Sequence, residues 1–227
     1  MEPAARIAPL VSNFPLLNAP VSVLLLLGTV ALVLLCLTGA AISAVTGARA
    51  AARRLAASAA ALTALYAAVL LATGISVKDR TIPLGGGKAF CEIDCHIVYS
   101  AAPVRFDDSS PGRRFAKVRL VALFDKRTIS PPRGDSPLTQ NPRAIFLVDA
   151  AGRLFAPTRD ASALAALSAL TAPLRPGESV ASELSFEIPK DATGLKLLLH
   201  EPLWPTHLLI GHENAPFSGK AYLGLAG

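Results

Sequence analysis

The chain has 227 residues, a formal net charge of +6 and 52% hydrophobic residues. That length allows an apolar N-terminal region plus one further domain of ordinary size. The charge does not mark a nucleic-acid binder: from Lys78 onward 18 Lys/Arg stand against 15 Asp/Glu, a net of +3, scattered without interleaved aromatics.

No charged residue lies between Arg6 and Arg49, and none between Arg54 and Lys78. The runs 21–45 and 55–77 are each long enough to cross a hydrocarbon core of roughly 30 Å at ~1.5 Å per helical residue. The second is richer in alanine, a composition that a buried soluble helix also shows. Too long for a signal peptide, and preceded only by Arg6, the first run reads as a retained anchor. Cys36 lies inside it as a small hydrophobe. Between the runs, Thr-Gly-Ala-Arg-Ala-Ala-Ala-Arg-Arg holds Arg49, Arg53 and Arg54. The bias of arginine toward cytoplasmic loops places this linker inside and both termini outside. Gly39, Ser43 and Gly47 recur at fours and would permit close helix contact, although small residues are common throughout this region.

From Lys88 the pattern becomes strand-like, with Gly/Pro punctuation. Strands are expected at 88–100, 115–124, 144–149, 154–157, 180–188, 195–200, 207–210 and 220–225. Alternation is clearest at Leu184, Phe186 and Ile188, and at Ala116, Val118 and Leu120. Asp160 caps an expected short helix at 160–170 with Leu164, Leu167 and Leu170 as its apolar face. Short strands with regular turns argue for a β-sandwich, with a closed barrel as the alternative. The expected domains are a short N-terminus (1–20), a transmembrane hairpin (21–77) and a sandwich (78–227).

The run LRPGESVASELSFEIPKDATGLKLLL at 174–199, with AIFLVDAAGRLFAPT at 144–158, resembles a bacterial extracytoplasmic immunoglobulin-like family of secreted antigens, lipoproteins and membrane-tethered proteins. The resemblance implies an immunoglobulin-like sandwich; joined to the two apolar runs, it gives an expected membrane-anchored all-β protein in the inner membrane of a bacterial envelope. It implies no activity, since a sandwich hosts many functions. The insert at 160–170 departs from the family.

The strongest local motif is Cys91-Glu92-Ile93-Asp94-Cys95-His96. In an unbroken strand, residues four apart stand about 13 Å from each other, too far for a disulfide. A bond between Cys91 and Cys95 therefore needs a local break; otherwise Cys91, Ile93 and Cys95 point inward as core residues. The oxidising outer compartment favours the disulfide. Two further readings use Cys91, Cys95 and His96 as a Cu(I) or Zn(II) site, or the motif as a haem attachment with one residue too many. His200, His207 and His212 cluster near the C-terminus and could add ligands, or serve as ordinary surface histidines. Trp204, between Pro202 and Pro205, suits a core plug or an exposed anchor; with His207 and His212 it makes a candidate partner-binding patch. Glu92 and Asp94 read as outward-facing charges. No nucleophile elbow, zinc-protease helix or phosphate loop is present. The expected function is a non-enzymatic, membrane-tethered interaction or structural protein needing no cofactor, with the lipid bilayer and an envelope protein as partners. The alternative is an extracytoplasmic copper- or zinc-binding protein.

Overall fold

A computed structural model describes residues 10–91, 95–128 and 134–226, with the backbone alone at 108–110. These residues form two compact units that interleave along the chain. One comprises the described residues of 10–13, 79–203 and 220–226; the other comprises Phe14–Lys78 and Trp204–Gly219. The units thus depart from boundaries drawn in chain order: three segments build the first and two build the second.

The first unit is a β-sandwich. One sheet runs β1 (Leu10–Ser12), β3 (Gly87–Phe90), β4 (Ile97–Ala101), β6 (Arg113–Phe124), with β5 (Arg105–Ser110) and β9 (Ser179–Pro189) also on β6. The other runs β2 (Arg80–Ile82), β11 (Ala221–Gly224), β10 (Lys196–His200), β7 (Ala144–Val148), β8 (Leu154–Phe155). β6 and β9 pair along nearly their whole lengths, from Arg113↔Pro189 to Leu123↔Ser179. On the other edge of β6, β4 covers Leu120–Phe124 and β5 covers Arg113–Lys117. β4 and β5 are therefore one strand line, interrupted at 102–104 where Pro103 has no N–H to give.

The alternation read from sequence is the alternation of burial. Ala116, Val118, Leu120, Ala122 and Phe124 are fully buried, as are Leu184, Phe186 and Ile188, and they meet Leu147, Leu197 and Leu199 from the facing sheet. Each large side chain removed from water there contributes about 1.5–3 kcal/mol. Helix α3 (Ala161–Ala169) is capped by Asp160, whose carboxylate accepts from the Ala163 N–H at 2.9 Å. Its buried positions are Ala163 and, at the C-cap, Leu170, with Leu167 partly covered; Leu164, expected on the apolar face, is exposed.

Three expectations need correction. The strand at 88–100 is two antiparallel strands, β3 and β4. The segment at 207–210 is not a strand: Trp204–Leu208 is a 3-10 turn, a conformation that Pro205 suits better than a ladder. Strands also occur before Lys88, where the strand-like pattern was expected to begin: β2 lies within the expected sandwich of 78–227 and joins β11 in parallel, whereas β1 falls in the expected short N-terminus and joins β3 in parallel.

In the second unit, α1 (Ala19–Val45, 27 residues) and α2 (Arg49–Ser76, 28 residues) are long and apolar enough to cross a membrane. Asn18 caps α1 by accepting from the Val21 N–H. α1 stops where Gly47 takes a left-handed conformation (φ 82°) and Ala48 N–H reaches back to the Ser43 carbonyl. Of the expected small-residue stripe, Gly39 lies against α2: a Cβ there would stand 3.1 Å from Leu55 Cδ1. Gly47 lies in the turn and faces open space.

Candidate functional site

The break that the cysteines require is the connection between β3 and β4. Cys91 follows β3 directly, Cys95 precedes β4 by two residues, and the two are disulfide-bonded with Cα atoms 4.1 Å apart. Cys91 is buried and Cys95 half-buried. Glu92, Ile93 and Asp94 lie outside the described residues. Bonded to each other, the sulfurs present no thiolate, the form that ligates soft metals. Among the described residues, no group of three or more His, Cys, Asp and Glu side chains is placed to hold a metal ion.

His96 is buried, stacked on Phe124 at 5.2 Å between centroids, with Nδ1 2.5 Å from Thr128 Oγ1. Thr128 donates its hydroxyl hydrogen to the Asp125 carbonyl at 2.7 Å. Its oxygen therefore accepts from His96, which fixes the proton on Nδ1. The Arg127 side chain, hydrogen-bonded to the Asp125 carboxylate, holds that carboxyl below its usual range.

Beside the disulfide lies a buried polar cluster that the sequence did not reveal. Asn13 Oδ1 accepts from the Cys91 N–H at 2.9 Å, while its Nδ2 donates to Glu201 Oε2 at 3.2 Å. Ser12 Oγ lies 3.1 Å from Cys91 Sγ. Glu201 Oε1 accepts from Arg143 Nη1 at 2.9 Å, and these side chains are only 3% and 4% exposed. The Arg143 guanidinium stands 4.4 Å from the centre of the Phe90 ring and Lys88 Nζ 5.0 Å from it. Lys88 is fully buried and donates to the Leu199 and Ala221 carbonyls at 2.6 and 3.0 Å. The cluster thus ties β1, β3, β7, β10 and β11 together across both sheets. A visible signal was Lys88 itself, two residues from Phe90 and hence in the same strand phase.

Chemically, this arrangement holds strands together. The charges meet opposite charge, carbonyl oxygens or an aromatic face, as buried charges must. Arg143 and Tyr99 also border a recess of about 190 Å³ with Ile145, Leu167 and Leu170. That is below the roughly 300–1,000 Å³ of ordinary small-molecule sites.

The remaining candidates separate. Trp204 is 70% exposed and is not a core plug. His207 is exposed, with Nδ1 3.1 Å from the Trp204 carbonyl. His212 is buried: its Nδ1 accepts from the Asn214 N–H at 2.9 Å and its ring meets Phe14 edge-on. The expected patch of Trp204, His207 and His212 therefore does not present three side chains outward. His200 stacks on Phe146 at 6.0 Å.

Residues 132–207 match the family model for a domain of unknown function, DUF4352. No curated protein matches the chain. Two solved structures are similar at low identity. The yjhA protein from Bacillus subtilis is 15% identical, with a TM-score of 0.36, over 63% of this chain and 98% of that one. An uncharacterized beta-sandwich protein from Clostridium difficile 630 is 10% identical, with a TM-score of 0.36, over 66% of this chain and 97% of that one.

Proposed function

We propose that the chain is a membrane-tethered envelope protein whose immunoglobulin-like sandwich serves a non-catalytic interaction or structural role outside the cytoplasm. The carrying observation is the helix pair: 27 and 28 residues, with only 6% and 11% of their most apolar windows buried. Such lengths, about 40 Å at ~1.5 Å per residue, exceed a hydrocarbon core of roughly 30 Å. Arginine placement supports the direction. Arg49, Arg53 and Arg54 occupy the first two turns of α2, where the helix dipole disfavours cations. Cytoplasmic topology and anionic head groups supply a reason for them there. Strand pairing supports the parity: β1 precedes α1, β3 follows α2, and the two strands pair, so both chain segments lie on one side of any membrane crossed twice.

The sandwich offers recognition through its surface rather than through a formed catalytic set, since its buried charges are engaged in joining strands. The test is a pair of C-terminal fusions, one to a reporter active only outside the cytoplasm and one to a reporter active only within it. Activity of the outer reporter alone is expected. Activity of the cytoplasmic reporter alone would reject the topology, and recovery of the protein without detergent would reject the anchor.

A further inference from the structure

The second unit contains a segment far from the helices in sequence. Residues Trp204–Gly219 pack on α1 and α2. Ser22 Oγ donates to the Ile210 carbonyl and Tyr66 Oη to the Leu208 carbonyl, each at 2.7 Å. Ile210 and Ala215 bury with Leu70, beside Leu17 and Tyr66. Gly211 lies against Leu17, and Gly74 lets the chain pass so closely that a Cβ there would fall 2.1 Å from the Pro216 carbonyl oxygen.

The polarity of this segment is inverted. Thr206, His212, Glu213 and Asn214 are buried, whereas Trp204 and Phe217 are 70% and 76% exposed. Of the side chains turned outward, His207 is the polar exception. Irregular backbone enters a bilayer's apolar zone only where its polar groups are met internally. Here Leu209, His212, Ala215 and Ser218 N–H groups all donate within the segment, Leu208 and Ile210 carbonyls accept from the helices, and Asn214 Nδ2 donates to Thr206 Oγ1. Phe217 is the non-glycine residue held at positive φ (63°) among those described, a conformation that costs a bulky side chain energy while leaving its ring outside the fold.

Depth agrees. Gly74 follows Arg54 by twenty positions, about 30 Å of helix, so the docked segment lies where the far edge of the hydrocarbon falls. Tryptophan suits that boundary, and phenylalanine suits the apolar face of an element that lies in it. We propose that residues 204–219 are an interfacial membrane element seated in the outer leaflet, with Trp204 and Phe217 in contact with lipid. The proposal rests on the membrane reading of α1 and α2, and its test separates the two.

Trp204 is the chain's single tryptophan, so intrinsic fluorescence reports this site directly. The full chain is reconstituted into phosphatidylethanolamine–phosphatidylglycerol vesicles. Parallel samples carry nitroxide quenchers at shallow or deep acyl positions, or acrylamide in the water. A blue-shifted emission quenched most by the shallow nitroxide, and little by acrylamide, is expected. A W204F/F217W variant, which moves the reporter across the segment, should behave alike. Water-like emission with strong acrylamide quenching, in protein that still floats with the vesicles, overturns the interfacial element and leaves the anchor standing. Shielding from both quencher types would assign the surface to a second protein copy and also overturn the proposal. Protein released from the vesicles by alkaline carbonate would overturn both readings.

Discussion

Removing one partner of the Arg143–Glu201 pair tests whether the buried cluster organises the sandwich. At 2.9 Å the pair attracts by about 6 kcal/mol at an effective dielectric of ~20. Desolvating each ion costs several kcal/mol, so the pair is near break-even against an apolar replacement. Breaking it is different, because the surviving charge stays buried: Arg143→Met or Glu201→Met should each destabilise by about 3–5 kcal/mol. The double variant should cost far less than the sum. It still loses one hydrogen bond from Asn13 and one cation over Phe90, about 1–3 kcal/mol together. The assay is equilibrium urea unfolding of the full chain in detergent, followed by near-ultraviolet dichroism of the buried Tyr99 and Tyr222. Single variants within about 1 kcal/mol of the parent, or strictly additive costs, would show that the pair does not organise the sandwich.

The Cys91–Cys95 bond closes a short loop, so reduction or a double Cys→Ser change should lower stability by about 2 kcal/mol, read by the same unfolding curves with and without reductant. Asp160 is held down to about 2 by the Ser162 hydroxyl first, then the Ala163 N–H. Its lowered value means that its contribution to α3 is full above the unfolded carboxyl range near 4 and is lost as pH falls through about 2; amide exchange across 161–169 should show that loss, and Asp160→Asn should abolish its pH dependence. Gly74→Val should detach residues 204–219 from α2, because the new Cβ cannot coexist with the Pro216 carbonyl; limited proteolysis in detergent should then cut that segment faster while the sandwich core persists.

What the sequence disclosed follows from how locally each feature is written. β6 and β9 announced themselves because every second residue is apolar over a long run, and the cap of α3 is a single acidic residue before a helical run. The break between β3 and β4 was hidden because Cys91 through His96 contains neither Gly nor Pro, and what brings the ends of β3 and β4 together is a disulfide, whose formation no local spacing encodes. β5, Arg-Phe-Asp-Asp-Ser-Ser, has the composition of a loop and is a strand through its pairing with β6. β1 and β2, three residues each, lie beyond the reach of any periodicity. The polar cluster draws Asn13, Lys88, Arg143 and Glu201 from distant stretches, and no local spacing encodes their meeting. Trp204 misled because flanking prolines fit a buried corner as well as an exposed one.

The pairing of β1 with β3 sets a schedule for biogenesis. Asn13 must wait for Cys91, 78 positions later, which is about 4–16 s of synthesis at ~5–20 residues per second. Until then the sandwich lacks an edge strand and the side chain that accepts from the Cys91 N–H. On the membrane-spanning reading, a chain that inserts only one of its helices leaves β1 and β3 in different compartments and can never complete that edge. On that reading, the small parallel strand couples completion of the sandwich edge to the crossing of both helices.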